Sequence, residues 1–187
     1  MNRNVGDIQT LEQFLRLPAF KPALEFSGGR LIQKMSPNLP HSILQGELYS
    51  RLVSVARPGK LGRAFLELRC LFGGEAQVPD ISFFTRDRLP KCPPGDDDPV
   101  VTSPPDLAIE IRSPGQIVGE LKIKLRFAIK HGSRLGWIIH PKLKKVWILR
   151  PRARAEILGL GDVLSGEDVL PGFALPLDEL FGWLDEE

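Results

Sequence analysis

The chain has 187 residues, of which 42% are hydrophobic and 26% charged, and its 25 basic and 23 acidic side chains give a formal net charge of +2. This composition is typical of a folded protein and excludes wholesale disorder, and the length suits one substantial core, so we expect a single domain over residues 1–187. The charge balance indicates nucleic-acid binding only weakly, because dedicated non-specific DNA binders are more basic.

The cellular environment is constrained by features that the sequence lacks. No apolar stretch is long enough to span a bilayer, and the amino-terminal segment has no secretory apolar core, so we expect a soluble protein with no membrane partner. Cys70 and Cys92 lie far apart in the sequence and form no CxxC pair. Neither a zinc site nor a disulfide framework is indicated, and the cytoplasm is the expected location.

The amino-terminal part of the chain predicts two helices separated by a hairpin. Thr10 is suited to cap a short helix that stops before Pro18, and apolar runs flank Ser27-Gly28-Gly29 in the manner of a β-hairpin. Further on, apolar residues recur at helical spacing. We therefore predict helices over 10–17 and 41–55, a hairpin over 23–35 and a turn over 37–40.

The remainder of the chain predicts strands interrupted by one helix and by a loop rich in proline and aspartate. The predicted strands are 63–72, 80–84, 106–112, 135–140 and 145–149, the helix is 116–131, and the loop is 90–105. One mixed sheet packed by at least two helices is the economical arrangement, which makes this an α/β protein.

Two carboxylates stand in the predicted strands. Asp80 follows Val78-Pro79 and opens one strand, and Glu110 lies within the strictly alternating segment DLAIEIR. Alternation places Glu110 on the strand face that also carries Ala108 and Arg112. A mid-strand carboxylate is costly to bury without a partner, so Glu110 either reaches solvent or meets a cation. The pattern alone leaves both alternatives open.

A lysine in the next predicted helix is positioned to reach these carboxylates. Lys124 projects from the edge of the apolar arc on the flank of Glu120, whereas Lys122 lies on the opposite flank. Because the helix directly follows the Glu110 strand and must pack back on the sheet, we prefer Lys124 and keep Lys122 as the second candidate. The apolar arc itself consists of Ile117, Val118, Leu121, Leu125, Ala128 and Ile129.

Several motifs occur in an order that is more specific than any one of them. They are Val78-Pro79-Asp80, the segment PDLAIEIRSP over 105–114, Glu120 with Lys124, and Trp137-Ile138-Ile139-His140-Pro141. In this order they resemble the Uma family of restriction endonucleases, which belongs to the PD-(D/E)xK nuclease superfamily. The resemblance runs over residues 10–181 and includes His41 at the start of the first long helix.

The resemblance implies a restriction-endonuclease-like fold, a mixed sheet flanked by helices, and Mg²⁺-dependent cleavage of DNA, with Mn²⁺ as an alternative cation. By the resemblance, Asp80 and Glu110 are the metal-binding carboxylates and Lys124 is the catalytic lysine. Glu120, Arg112 and His41 would then support the site. We expect Arg112 to position Glu110 or the scissile phosphate, because it stands where much of the superfamily carries its lysine.

Two further expectations concern the oligomeric state and a group of basic surface residues. Cutting both strands of a duplex favours two sites related by a two-fold axis, so a homodimer is expected. Basic residues also surround the predicted hairpin after 135–140, where they would either contact DNA phosphates or keep a sheet edge soluble. They are Lys142, Lys144, Lys145, Arg150, Arg152 and Arg154.

Two other classes of function remain open at this point. Arg112, Ala128 and Gly136 depart from the family pattern, so a nuclease-fold module that binds DNA or a partner with weak or no catalysis is the main alternative. A structural homo-oligomer is the second. Cation binding at the carboxylates discriminates the nuclease from the first alternative, and salt-dependent DNA affinity discriminates it from the second.

Overall fold

A computed structural model describes residues 8–97 and 99–185. Residues 1–7, on which the expected lack of a secretory segment partly rests, lie outside the described residues. Within those residues, no helix has the length and hydropathy needed to cross a membrane. The helices are α1 (Leu11–Leu15), α2 (Leu39–Ala56), α3 (Val118–Lys130) and α4 (Leu177–Gly182). The strands are β1 (Leu24–Ser27), β2 (Arg30–Gln33), β3 (Gly62–Leu66), β4 (Cys70–Phe72), β5 (Glu75–Gln77), β6 (Ile81–Thr85), β7 (Leu107–Ile111), β8 (Leu135–His140), β9 (Lys145–Leu149), β10 (Glu156–Leu158), β11 (Val163–Ser165) and β12 (Ala174–Pro176).

A six-stranded mixed sheet lies at the centre of the fold, in the order β10-β9-β8-β7-β6-β3. Its β7 and β8 run parallel because α3 connects them as a crossover, and the other neighbouring pairs are antiparallel. The predicted mixed sheet flanked by helices is therefore confirmed. Two smaller antiparallel sheets, β2-β1-β5-β4 and β11-β12, accompany it and were not predicted.

The central strand β7 is buried on both faces, and its alternation divides its residues between two clusters. Leu107, Ile109 and Ile111 pack into the main core beneath α2 and α4. Ala108 points the other way, into a second cluster with Leu121 of α3. Glu110 shares that second face, so the sheet itself directs the Glu110 side chain toward the helix that carries Lys124.

The first long helix begins earlier than its apolar spacing indicates. α2 starts at Leu39, because the Asn38 side chain caps it by accepting a hydrogen bond of 3.0 Å from the backbone N–H of His41. Pro40 fits within the first helical turn, where its missing N–H costs nothing. The predicted turn over 37–40 is therefore wrong in its second half.

The segment predicted as one strand over 63–72 forms two strands in different sheets. β3 pairs with β6 in the central sheet, and β4 pairs with β5 in the four-stranded sheet. Between them, Glu67 adopts a left-handed backbone with φ of 48° and donates its N–H to the Asp80 carbonyl. A run of extended-favouring residues cannot reveal such a break, because β propensity does not specify the partner strand.

Helix α3 confirms most of the predicted apolar arc. Leu121, Leu125 and Ala128 are buried in it. Ile117 is the exception: it precedes the helix as its N-cap residue and is 62% exposed. The helix begins one residue later than the arc requires, so Ile117 does not face the sheet.

The loop over 90–105 contains no helix and no named strand in its described residues, as predicted. It is tied to the four-stranded sheet by Val101, which pairs with Cys70 in an isolated bridge and accepts a hydrogen bond from the Leu71 N–H. Cys92 lies exposed in the loop, whereas burial raises the pKa of the Cys70 thiol to about 12. Both cysteines are free.

Candidate active site

The two carboxylates of the predicted site lie at the same end of neighbouring strands. β6 and β7 are antiparallel with Ile81 opposite Ile109, so Asp80, just before β6, continues this register toward Glu110. Asp80 Oδ2 accepts a hydrogen bond of 2.7 Å from the backbone N–H of Ile111. Asp80 is 2% exposed and Glu110 is 3% exposed. The structure thus brings together two buried acidic side chains that are 30 residues apart in the chain (110 − 80).

Lys124 reaches this pair from α3. Its Nζ lies 2.6 Å from Glu110 Oε1 and 2.6 Å from Glu25 Oε1, and it donates a 3.3 Å hydrogen bond to the Val78 carbonyl. Lys122 points to the other flank of the helix, with Nζ 5.5 Å from the centroid of the Trp147 ring. Of the two candidate lysines, the structure places Lys124 at the carboxylates.

Asp80 is also held by contacts from two other parts of the chain, the end of the β1–β2 hairpin and α2. Lys34, just after β2, lies with its Nζ 2.5 Å from Asp80 Oδ1 and donates a 2.8 Å hydrogen bond to the Val78 carbonyl. From α2, His41 Nε2 lies 3.2 Å from Asp80 Oδ2, and Gln45 donates to the Asp80 backbone carbonyl. His41 and Gln45 are one helical turn apart, which places both over the same residue.

Burial and neighbouring charges shift the ionisation of the three central groups. Burial alone disfavours the anion of Asp80, but the hydrogen bond with His41 and the charge of Lys34 outweigh it and hold the Asp80 pKa well below its usual range. Burial raises the pKa of Glu110 to about 7; Lys124 opposes that shift and Asp80 adds to it. Burial also disfavours the ammonium of Lys124, but Glu110 and then Glu25 outweigh it and raise its pKa.

Two site residues were missed by the sequence analysis, and both come from the β1–β2 hairpin. Glu25, which is 7% exposed, contacts Lys124 and accepts a 2.5 Å hydrogen bond from the Val78 N–H. Lys34 contacts Asp80. Glu25 could have been found from the sequence, because it is a mid-strand carboxylate between Leu24 and Phe26. Like Glu110, it is costly to bury without a partner. Nothing local marks Lys34.

The other two predicted supporting residues, Glu120 and Arg112, differ in their position relative to the site. Glu120 is exposed and lies at the rim of the cavity described below. Arg112 is not brought to Glu110: its Nε donates a 2.9 Å hydrogen bond to the Gln116 carbonyl. β7 ends at Ile111, so the strand alternation no longer directs the Arg112 side chain. The expected contact between Arg112 and Glu110 is therefore not formed, and positioning of the scissile phosphate by Arg112 stays a prediction.

A cavity of about 470 Å³ opens from this group to solvent. Glu25, Lys34, Glu110 and Lys124 line its inner part, and Phe127 lies on its wall. A larger cavity, of about 590 Å³, lies beside β3 and has no carboxylate among its lining residues. Of these two cavities, the smaller one is the candidate for substrate binding, because only this one leads to the carboxylates and lysines that contact one another.

The residues of the site fit a hard divalent cation. The group has three carboxylates, Glu25, Asp80 and Glu110, against the ammonium groups of Lys34 and Lys124, so one negative charge is in excess once Glu110 is ionised. Glu110 Oε1 is buried and accepts no well-directed hydrogen bond, despite its ion pair with Lys124. Carboxylate oxygens suit Mg²⁺, which completes its shell with water.

Such a cation would depend on few protein ligands. Within residues 8–97 and 99–185, no cluster of three or more histidine, cysteine or acidic residues has the geometry to hold a metal. Asp80 and Glu110 would therefore be its only acidic ligands, with water and phosphate oxygens supplying the others, as is usual for Mg²⁺.

Comparison with known proteins places this geometry in a family. No curated protein matches the chain. A crystal structure from Anabaena variabilis, described as "a putative nuclease belonging to DUF820", has 37% sequence identity to it and a TM-score of 0.89, and the match covers 94% of this chain and 98% of that one. The model of the Uma2 family, described as "Putative restriction endonuclease", matches residues 11–178. The chain therefore belongs to the Uma2 family.

Proposed function

We propose that the protein is a Mg²⁺-dependent endodeoxyribonuclease whose site consists of Asp80, Glu110 and Lys124. The observation that carries the proposal is the convergence of two buried carboxylates with one lysine, whose side chain is 13% exposed, beside a cavity that Glu110 and Lys124 line, in a member of a nuclease family. Burial of charges is costly, so a fold that collects five of them, with Glu25 and Lys34, at one point has a reason beyond stability.

Each residue has a distinct part in the proposed hydrolysis. Asp80 and Glu110 would hold the cation, which when bound would polarise the phosphate and lower the pKa of a water molecule. His41 and the Ile111 N–H fix the orientation of Asp80 Oδ2. Lys124, held beside Glu110, stabilises the negative charge that develops on the phosphate or orients the attacking water.

A module that binds DNA without cutting it is the second candidate, and one observation favours it. Both oxygens of Asp80 are already engaged, Oδ1 by Lys34 and Oδ2 by His41 and the Ile111 N–H. A cation must therefore compete for Asp80. Under this alternative, saturating Mg²⁺ or Mn²⁺ would bind elsewhere or not at all.

Cleavage of supercoiled plasmid tests the proposal. In Mg²⁺ or Mn²⁺ the wild type is expected to convert plasmid to nicked or linear product, and Asp80→Ala is expected to lower the rate at least about 100-fold, the scale of losing a group that stabilises the transition state. Asp168→Ala is the matched control, because Asp168 is an exposed aspartate that pairs with Arg134 away from the site. An Asp80→Ala variant as active as wild type would refute the assignment.

The product distribution also tests the expected homodimer. Two sites related by a two-fold axis cut both strands in one binding event, so linear product is expected to appear together with nicked product. A monomer would first accumulate nicked plasmid. Sedimentation of the protein with and without a DNA duplex measures the oligomeric state directly.

A further inference from the structure

Lys34 is a residue of this site to which the proposed chemistry gives no role. It follows β2, at the end of the β1–β2 hairpin, and its side chain is 11% exposed. The Nζ lies 2.5 Å from Asp80 Oδ1 and 2.8 Å from the Val78 carbonyl. Every contact of the ammonium is thus with an oxygen of the kind that a hard cation prefers.

The site therefore contains two lysines with different relationships to the carboxylates. Lys124 divides its charge between Glu110 and Glu25, so Glu110 is not its sole partner. Lys34 has Asp80 as its one acidic partner among the ion pairs of the described residues. Asp80 in turn has no other fully charged partner there, because His41 is charged only when protonated. Lys34 and a divalent cation at Asp80 thus compete for the same oxygen.

We propose that Lys34 is an internal counter-ion that occupies Asp80 Oδ1 in the cation-free protein and leaves it when a divalent cation binds. The inference rests on the proposed function in that Asp80 is taken as a cation ligand. Lys34 thereby neutralises a buried carboxylate that would otherwise be unpaired, and it lowers the affinity of the site for cations. Its side chain lines the cavity, so the displaced ammonium has a space that opens to solvent.

The test is the cation affinity of Lys34→Met, measured calorimetrically with Mn²⁺ and without DNA. Methionine keeps the length of the side chain and removes the competing charge, so we expect Mn²⁺ to bind at least about tenfold more tightly than to wild type. Lys34→Arg keeps the charge and is expected to stay within about threefold of wild type, since arginine also pairs with carboxylates. Lys122→Met is the matched control, because Lys122 lies over Trp147 outside the site.

Thermal unfolding gives a second measurement, which remains interpretable even if the variant is less stable than the wild type. Without divalent cations, Lys34→Met is expected to melt at a lower temperature than wild type, because Asp80 has lost its ammonium partner. Added Mn²⁺ replaces that charge, so its increase in Tm should be larger in Lys34→Met than in wild type or Lys122→Met.

An unchanged or weaker Mn²⁺ affinity in Lys34→Met, or no Mn²⁺ binding by either protein, would overturn the inference. Mn²⁺ binding by Lys34→Met but not by wild type would support it. Plasmid cleavage by the wild type is measured in a separate experiment. The nuclease proposal can therefore stand while the Lys34 inference fails. Tighter Mn²⁺ binding by Lys34→Met without any plasmid cleavage would instead support the Lys34 inference and refute the nuclease proposal.

Discussion

Replacement of Lys124 by alanine is expected to slow DNA cleavage by about 100- to 1000-fold, the loss seen when one preorganised donor to a developing charge is removed. The ammonium stands 2.6 Å from Oε1 of Glu110, one of the two carboxylates that would hold the cation, so it is close to the proposed reaction centre. The rate at saturating DNA should fall, because the lost interaction belongs to the transition state, while the KM for DNA should change little.

The matched control is Lys122→Ala on the same helix. Lys122 contacts the Trp147 ring on the other flank, so its loss should leave the cleavage rate within about threefold of wild type and cost the modest energy of one cation–π contact. A slow Lys122→Ala together with a normal Lys124→Ala would move the role to Lys122. Cleavage rates equal to that of the wild type in both variants would mean that neither lysine takes part in the mechanism.

Stability must be followed in the same experiment. Lys124 is the ion-pair partner of two buried carboxylates, Glu25 and Glu110, so its removal leaves uncompensated buried charge. Lys124→Ala is therefore expected to melt at a lower temperature than wild type, and cleavage should be measured well below that temperature.

Replacement of Asp106 by alanine is expected to lower the free energy of unfolding by about 3–5 kcal/mol, the usual cost of leaving a buried charge network without its anion. The Asp106 side chain is fully buried. Its Oδ2 accepts hydrogen bonds from the N–H and hydroxyl of Thr85, and its Oδ1 pairs with Arg88 at 2.5 Å. Arg88 also donates to the carbonyls of Gly132 and Pro104. Asp106 thus joins the end of β6, the start of β7 and the turn after α3.

Denaturant unfolding of Asp106→Ala and Asp168→Ala measures this cost. Asp168 is mostly exposed and pairs with Arg134, which also approaches Asp106 at 4.0 Å. Its loss should cost less than about 1 kcal/mol, as for other exposed ion pairs. A loss below about 1 kcal/mol for Asp106→Ala as well would mean that Asp106 does not hold these elements together.

The local periodicities of the sequence predicted much of this structure because they reflect contacts with one sheet. Strict alternation in DLAIEIR gave both faces of β7, and the position of Lys124 on the flank of its arc gave its direction toward Glu110. Both inferences depend on residues close in the chain, where the geometry of a strand or a helix fixes directions. The pairing of Asp80 with Glu110, in contrast, was implied only by the family resemblance, and in the structure the register of β6 against β7 brings it about.

Contacts made through the β1–β2 hairpin could not be predicted in this way. The hairpin was recognised, but its membership in a second sheet with β5 and β4 is a long-range pairing that the sequence pattern does not encode. That pairing carries Glu25 to Lys124 and Lys34 to Asp80. The expected contact of Arg112 with Glu110 is absent for the opposite reason. The alternation of side chains along a strand was applied to Arg112, which lies one residue beyond the end of β7.

Binding of a divalent cation by Asp80 and Glu110 can be observed through the anomalous signal of Mn²⁺ in crystals of the wild type soaked with that ion. One strong peak is expected in contact with carboxylate oxygens of both Asp80 and Glu110, with the Lys34 ammonium moved away from Asp80 Oδ1. A peak elsewhere, or no peak, would contradict cation binding by Asp80 and Glu110, whereas Lys34 still paired with Asp80 beside a bound Mn²⁺ would overturn only the counter-ion inference.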